Sequence, residues 1–281
     1  MAAMTTVDEL YVLARQVLLD AIEGLGHHRD AIVLVGAQAV YLRVGEADLA
    51  VAPFTTDGDL AVDPTVLTEI PPLEQALQDA GFSPKTKDSV GVWVTHRSTR
   101  EKKDIEIPVD LLVPESVSPG KGRRAARLQG HAPNAARIVS GLDGALVDAD
   151  VMRLSSLQVE DSRAFDVRVA GAAALLVSKV HKINDRSGND RQNDKDALDV
   201  LRLLRGTETD DLATRYKKLL ADGRSQGAGQ KGLALFEAQF AARSGVGVEM
   251  AIRSASPLVS ADEIAASCQA LAMDLLSALK K

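Results

Sequence analysis

Three aspartates have residue types and spacing suited to binding a divalent cation. Asp57 and Asp59 lie two residues apart in a stretch predicted to be a strand, 57–62, so both side chains share one face. Carboxylates a few ångströms apart repel each other by about 4 kcal/mol at an effective dielectric constant of ~20. Asp110, in the apolar strand predicted at 104–113, is a candidate third ligand. If the two strands are neighbours, these hard oxygen donors predict a Mg²⁺ or Mn²⁺ site.

The alternative for this triplet is a turn that binds no ion, because Asp-Gly-Asp is common in turns. The residues that follow are apolar from Leu60 to Val62, and Pro64 cannot continue a strand ladder. This context favours a strand that begins with the two acids.

A second group of charges lies on a predicted helix further along the chain. Lys179, Lys182 and Arg186 recur at spacings of three and four residues and therefore share one helix face, which could stabilise the phosphates of a nucleotide. The alternative is a solvated basic face whose charges pair with three nearby carboxylates, those of Asp194, Asp196 and Asp199.

The densest basic stretch is 121–137, in a chain whose formal net charge is −6. Phosphate contacts from such residues give affinity for a nucleic-acid backbone without sequence information. The stretch therefore indicates an RNA-binding segment or, alternatively, a solvated loop. The candidate RNA-binding residues are Lys121, Arg123, Arg124 and Arg127, with Arg137 beyond them.

The other reactive residue types favour structural roles. Cys268 lies in a helix-patterned stretch and is interpreted as a small buried hydrophobe, and one cysteine excludes an intramolecular disulfide. His27 and His28 lie in a predicted turn without acidic partners at metal-binding spacing, and His181 lies one residue off the face of Lys179 and Lys182, so all three are interpreted as structural or exposed. Aromatic residues make up 3% of the chain, which argues against a stacking platform for single-stranded nucleic acid.

The elements that position these residues change in character along the chain. Residues 1–168 are predicted to form an α/β (α+β) lobe with a mixed sheet, and 169–281 an α-helical lobe. The segment 225–232 is predicted to be a flexible connection between helices. No apolar run reaches the length of a membrane span, and 1–8 lacks a signal-peptide pattern, so we expect a cytoplasmic protein without membrane contact.

The N-terminal motifs resemble the nucleotidyltransferase superfold typified by DNA polymerase β. The resemblance rests on a strand that ends at Gly36-Ala37, on the strand with Asp57 and Asp59, and on Asp110 in a later strand. In that superfold the small turn lets backbone N–H groups approach a triphosphate while the acids hold the metals. The family usually has Gly-Gly or Gly-Ser at the turn, and a hydrophobic residue between the two acids.

The helical part resembles the AbiEii-like nucleotidyltransferases, which include the MenT toxins. Lys179 with Arg186 seven residues later is similar to the third motif of that family, and the block 191–199, with Asp196 and Asp199, is similar to the fourth. The resemblance covers about residues 32–204.

This resemblance implies a Mg²⁺-dependent enzyme that transfers a nucleoside monophosphate from a nucleoside triphosphate (NTP) to the 3′ end of tRNA. Such a protein acts as a growth-inhibiting toxin that a cognate antitoxin neutralises. The implied catalytic residues are Asp57, Asp59, Asp110, Lys179 and Asp199, with the three N-terminal acids as metal ligands. The implied nucleotide-binding residues are Gly36, Ala37, Lys182, Arg186 and Asp196.

Two other functions remain open on the sequence. A small-molecule nucleotidyltransferase, such as an aminoglycoside-modifying type, would share the metal chemistry and would not need the basic stretch. A degenerate fold that acts as a nucleotide-binding or interaction protein would be favoured if Ala37 and Gly58 marked decay of the site. Retention of all three acids argues against decay.

Overall fold

A computed structural model describes residues 8–45, 47, 49–118, 124–185 and 194–281. The chain divides into two compact units. The first, called the sheet unit, comprises the described residues of Met1–Gln38, Pro53–Val139 and Asp150–Val169. The second, called the helical unit, comprises those of Ala39–Ala52, Ser140–Ala149 and Ala170–Lys281. The division predicted after residue 168 lies next to the last of these boundaries, and two earlier segments also belong to the helical unit.

The sheet unit is built on one mixed sheet, as the predicted fold class requires. Eight strands in the described ranges have the order β3-β4-β5-β2-β1-β8-β7, with β6 beside β5. The β1–β8, β2–β5 and β5–β6 pairs are parallel, and the β1–β2, β3–β4 and β4–β5 pairs are antiparallel. The strands are β1 Ile32–Val35, β2 Gly58–Val62, β3 Ser83–Pro84, β4 Val92–Ser98, β5 Asp104–Pro114, β6 Arg137–Val139, β7 Ala149–Ser155 and β8 Ala164–Ala170.

The centre of this sheet places two of the candidate ligands side by side. In β2, Asp59 lies opposite Val35 of β1 on one side and opposite Asp110 of β5 on the other. The strands β2 and β5 are therefore neighbours, which is the condition on which the sequence-predicted site depends. Paired residues of neighbouring strands are about 5 Å apart and point to the same face.

Among the described residues, three α-helices belong wholly or in part to the sheet unit: α1 Glu9–Gly24, α2 Gly36–Val44 and α3 Leu73–Asp79. The spacing of Thr6 and Glu9 predicts a capping box at the start of α1. Instead the side chain of Asp8 accepts a hydrogen bond from the Leu10 backbone N–H at 2.8 Å, and Thr6 lies outside the described residues. Asp is a favoured N-cap because its oxygen satisfies a backbone donor at the helix start.

The helical unit contains α4 Ala172–Asp185, α5 Asp194–Gly206, α6 Thr209–Ala221, α7 Gln226–Phe240, α8 Val246–Ala255 and α9 Ala261–Leu279. The flexible connection predicted at 225–232 is wrong, since α7 begins at Gln226. A Cβ on Gly232 would lie 3.0 Å from a methyl group of Val177, and Tyr216 donates its hydroxyl to the Gly229 carbonyl at 3.0 Å. These glycines let α7 pack close to its neighbours, which glycine frequency alone does not reveal.

Within the described ranges, every helix is too short or too polar to cross a membrane.

Candidate active site

The turn between β1 and α2 holds the carboxylate of Asp59. Gly36, the first residue of α2, has φ +70°, and a Cβ at this position would lie 2.0 Å from Asp59 Oδ2. Only glycine therefore fits both the backbone conformation and the space. The positive end of the α2 dipole favours the negative charge placed there. A side chain at residue 36 would expel the carboxylate from this position.

Gly58 points away from the two acids, as the period of a strand requires. A Cβ on Gly58 would lie 3.1 Å from Leu18 Cδ1 of α1 and 3.5 Å from Val109 Cγ2 of β5. The glycine therefore lets α1 pack closely on this side of the sheet, which is a packing reason for its departure from the family pattern. Asp59 lies on the opposite side. Gly58 and Asp59 thus begin β2, whereas Asp57, predicted to be the first residue of this strand, lies just before it.

Asp110 has a basic partner from the same sheet. Its Oδ2 accepts a hydrogen bond from Arg137 Nη2 of β6, and its side chain is 15% exposed. The sequence placed Arg137 at the end of the basic stretch; the structure instead ties it to a candidate ligand. Because β5 and β6 are parallel neighbours, a residue 27 positions away reaches Asp110, a proximity that spacing does not reveal.

Asp57 directly precedes β2 and is held at both its side chain and its backbone. Thr55, which is fully buried, donates its hydroxyl to Asp57 Oδ1. The Gln38 side-chain amide donates to the Asp57 carbonyl at 2.9 Å. The sequence alone predicts no role for Thr55 or Gln38, although a glutamine in the apolar run around 31–41 is a signal that could have identified Gln38.

The three carboxylates fit a divalent cation in their donor chemistry. In the part of the chain that the structure describes, no group of three or more His, Cys, Asp and Glu side chains is already arranged to hold a metal ion. Asp59 and Asp110 are nevertheless register neighbours, and the missing side chain of Gly36 makes room for the Asp59 carboxylate. The ion pair between Arg137 and Asp110 is the contact that a bound cation would compete with.

Lys179 in the helical unit lies in a buried cluster of charges rather than on a solvated face. Its ammonium is 2.7 Å from Asp196 Oδ1 and 2.7 Å from Asp199 Oδ2, and both carboxylates are at most 1% exposed. Arg202 lies 3.3 Å from Asp199 Oδ1. Burial alone would lower the pKa of Lys179, but the two carboxylates outweigh it and hold the pKa above its ordinary value. The residue is therefore a cation at neutral pH.

The other charged residues predicted on these helices have different partners. Lys182 is half-buried, 3.6 Å from Asp196 Oδ1. Asp194 does not pair with α4; it accepts two hydrogen bonds from Arg253, at 2.8 and 2.9 Å. Arg186 lies outside the described residues, as does Arg191.

The basic stretch is described only in part. Arg124 and Arg127 are exposed, whereas Lys121 and Arg123 lie outside the described residues. Arg127 lines a groove of about 570 Å³ together with Ser116, Ser118 and Gln129. This groove lies past the end of β5, whereas Asp110 is within that strand.

The cysteine and two histidines have the structural surroundings that the sequence predicted. Cys268 is buried, which raises the pKa of its thiol to about 12. His28 Nε2 is 2.8 Å from the Pro71 carbonyl, and His181 Nε2 is 3.0 Å from the Ala228 carbonyl. Neither histidine lies in a group that could hold a metal ion within the described ranges.

Comparison with known proteins supplies the family. No curated protein matches the chain. The crystal structure of an antigenic nucleotidyltransferase-like protein from Paracoccidioides brasiliensis is similar at 14% identity, over 80% of this chain and 93% of that chain, with a TM-score of 0.41. A family model described as nucleotidyltransferase matches residues 15–221, which include Gly36, the three carboxylates and Lys179. Because this match spans well over half of the 281 residues, the chain belongs to the nucleotidyltransferase family.

Proposed function

We propose that the protein is a Mg²⁺-dependent enzyme that transfers a nucleoside monophosphate from an NTP to an acceptor hydroxyl. The observation that carries this proposal is the register pair of Asp59 and Asp110, with Asp59 lying against Gly36 at the start of α2. Family membership supports nucleotidyl transfer, and the metal, the acceptor and the residue roles are our additions.

In this proposal, Asp57, Asp59 and Asp110 hold the divalent cation. When bound, the cation polarises the α-phosphate and lowers the pKa of the attacking hydroxyl. The backbone N–H groups at Gly36 and Ala37 approach the triphosphate, because the start of α2 favours negative charge. Arg137 donates a hydrogen bond to Asp110, and the cation must compete with this contact when it binds.

The family resemblance assigns contacts with the triphosphate to Lys179, Lys182 and Arg186. It assigns nucleotide binding to Asp196, and to Asp199 the positioning of a cation or of the nucleotide. The permanent charge of Lys179 supports an electrostatic role toward phosphate. Its two short ion pairs support a role as scaffold. We retain the triphosphate contact as a proposal, with Lys182 the more accessible cation of the two described.

We further propose tRNA as the acceptor, with modification of its 3′ end and growth inhibition relieved by a cognate antitoxin protein. The exposed guanidinium groups of Arg124 and Arg127 support a polyanionic acceptor. A nucleotide added past the normal terminus would leave no free hydroxyl of the right geometry for aminoacylation.

The test is incubation of the purified protein with Mg²⁺, total RNA and each labelled NTP in turn. We expect label in tRNA, and none with the Asp59→Asn protein. Charge reversal at Arg124 and Arg127 should weaken RNA binding and lower its log-log salt slope by about one for each phosphate that is no longer bound, without changing NTP affinity. Label in another RNA would refute the tRNA assignment. Label only in a parallel reaction with an aminoglycoside in place of RNA would identify a small-molecule enzyme.

A further inference from the structure

A buried hydrogen-bonded chain inside the sheet unit ends on the backbone of Asp57. Arg15 Nε of α1 donates to Gln38 Oε1 of α2 at 2.7 Å, and Gln38 Nε2 donates to the Asp57 carbonyl at 2.9 Å. Arg15 also donates to the Ser155 carbonyl at 3.0 Å and to the Tyr11 hydroxyl at 3.1 Å. Arg15 is 4% exposed and Gln38 1% exposed. An arginine this deep in a core is costly unless its donors are used.

The chemistry of the two neighbours allows Gln38 only one orientation. Arg15 offers donors alone, so it must face the amide oxygen, and the Asp57 carbonyl only accepts, so it must face the amide nitrogen. A flipped amide would place two donors together and two acceptors together. Arg15 therefore determines which atom Gln38 presents to Asp57.

Asp57 lies outside the register pairs that fix the backbone of β2 in the sheet. The register pairs of β2 with β1 run from Asp59 to Val62, and those with β5 begin at Gly58. Asp57 precedes both sets. The hydrogen bond from Gln38 to its carbonyl and the one from Thr55 to its carboxylate therefore hold the residue in place from two sides.

We propose that Gln38 is a positioning residue that sets the backbone of Asp57 for divalent-cation binding, and that Arg15 holds the Gln38 amide in the required orientation. The inference rests on the proposed function, because it takes Asp57 to be a ligand. Groups that orient metal ligands typically contribute about 10- to 100-fold in metal affinity or activity.

Two substitutions at Gln38 separate the effect of its hydrogen bond with Arg15 from that of its hydrogen bond with Asp57. Gln38→Met removes both hydrogen bonds at nearly constant volume and adds no charge. Gln38→Glu keeps an acceptor for Arg15, which holds the new carboxylate ionised, but replaces the donor to the Asp57 carbonyl with an oxygen. An extra negative charge would by itself strengthen cation binding, so weaker binding by Gln38→Glu must come from the missing hydrogen bond. Gln75→Glu, an exposed glutamine of α3, is the matched control.

The experiment measures Mn²⁺ binding by electron paramagnetic resonance on the full chain, with circular dichroism to establish the folded fraction. We expect both Gln38 variants to bind Mn²⁺ about 10- to 100-fold more weakly than wild type and to recover transfer at high Mn²⁺, with NTP affinity unchanged. The Gln75→Glu protein should bind Mn²⁺ as wild type does. A purely structural role would lower the melting temperature without changing the Mn²⁺ affinity of the folded protein.

Wild-type Mn²⁺ affinity in folded Gln38→Met would overturn the inference, because that variant lacks both hydrogen bonds and adds no charge that could offset their loss. If Gln38→Met does not fold, tighter binding than wild type by folded Gln38→Glu would overturn it. If neither variant folds, Arg15→Lys replaces them, since the lysine cannot reach all three acceptors; wild-type Mn²⁺ affinity in that variant would overturn the inference, and weaker affinity would support it. Asp57→Asn tests the proposed function separately: if it binds Mn²⁺ as wild type does, Asp57 is not a ligand and that proposal fails first.

Discussion

The two units use the same residue types in opposite ways. In the sheet unit, the candidate ligands Asp57, Asp59 and Asp110 lie half-buried at the start or in the middle of strands. In the helical unit, Lys179 and Asp199 are less than 5% exposed and bind each other at 2.7 Å. Partial exposure thus leaves the acids of the sheet unit accessible to solvent. The charged side chains of the helical unit are instead buried and paired with one another.

The origin of this contrast lies in the geometry of the two kinds of element. Register pairing places Asp59 and Asp110 beside each other although both are negative. Packing of α4 on α5 instead brings a cation between two carboxylates that lie three residues apart on one helix face. Neighbouring strands of the sheet unit thus bring like charges together, whereas the packing of two helices buries unlike charges as pairs.

The largest effect should come from breaking the buried cluster. Lys179→Ala leaves the carboxylates of Asp196 and Asp199 buried without their main cation, and removal of one partner from a buried ion pair costs about 3–5 kcal/mol. We expect a loss of that size in the free energy of unfolding, measured with urea. Lys182→Ala, a more exposed neighbour, should cost less than about 1 kcal/mol. If Lys179→Ala has near-wild-type stability and binds NTP more weakly, the buried cluster is not mainly structural, and a catalytic role for the lysine is favoured.

Asp59→Asn should show the reverse pattern, with activity lost and stability kept. The substitution removes a ligand charge at constant volume, and removal of such an electrostatic interaction costs about 100-fold or more in rate. Nucleotide transfer with Mg²⁺ should fall accordingly, while the melting temperature stays within a few degrees of wild type. Asp88→Asn, an exposed aspartate, is the control. Transfer near the wild-type rate would show that Asp59 is not a metal ligand.

The sequence predicted the parts of this arrangement that depend on local pattern. Alternation located β5, and the triplet around Gly58 located the acids at the start of β2. The sequence pattern did not predict β7, an edge strand whose side chains are mostly exposed. A strand with few buried side chains shows little alternation of apolar and polar residues. Nor did the sequence pattern predict that Arg137 meets Asp110 or that Lys179 is buried. Both depend on which elements pack together, and that information is not contained in spacing along one element.

The substitution Arg137→Gln tests whether the Arg137 guanidinium competes with a divalent cation for Asp110. The guanidinium neutralises Asp110, so a divalent cation must compete with it. A partly exposed ion pair contributes at most about 1 kcal/mol, equivalent to about five-fold in affinity. We therefore expect Arg137→Gln to bind Mn²⁺ up to about five-fold more tightly, measured by electron paramagnetic resonance. Arg153→Gln, whose side chain pairs with Asp166 at the surface, is the control. Weaker binding by Arg137→Gln would mean that Arg137 supports the site rather than competes with the ion.

The smallest expected effect concerns pH, where the units should again respond oppositely. The rings of His28 and His131 are 5.8 Å apart in the sheet unit, and His131 Nδ1 accepts the Leu73 backbone N–H at the start of α3 at 3.0 Å. Burial and the neighbouring ring lower the pKa of His131, against the opposing charges of Glu74 and Glu69. Burial and His27 lower that of His28, against its hydrogen bond to Pro71.

Because the folded state binds these protons less readily than the unfolded state, stability should fall as pH drops below the unfolded value of about 6.5 and level off below the folded pKa values. The raised pKa of Lys179 gives the helical unit the opposite dependence. Its contribution is complete below the unfolded pKa of 10.5 and is lost only as pH rises through the folded value.

Trp93, the chain's one tryptophan, is buried in the sheet unit and donates its indole N–H to the Ala135 carbonyl at 3.0 Å, so its fluorescence reports on this unit. In urea titrations at pH values from 7.5 down to 5, the urea concentration at the unfolding midpoint, detected by Trp93 fluorescence, should fall as the pH is lowered. His131→Asn, which keeps an acceptor for Leu73 but cannot titrate, should flatten that decrease. An unchanged slope in His131→Asn would assign the acid sensitivity to groups other than this histidine.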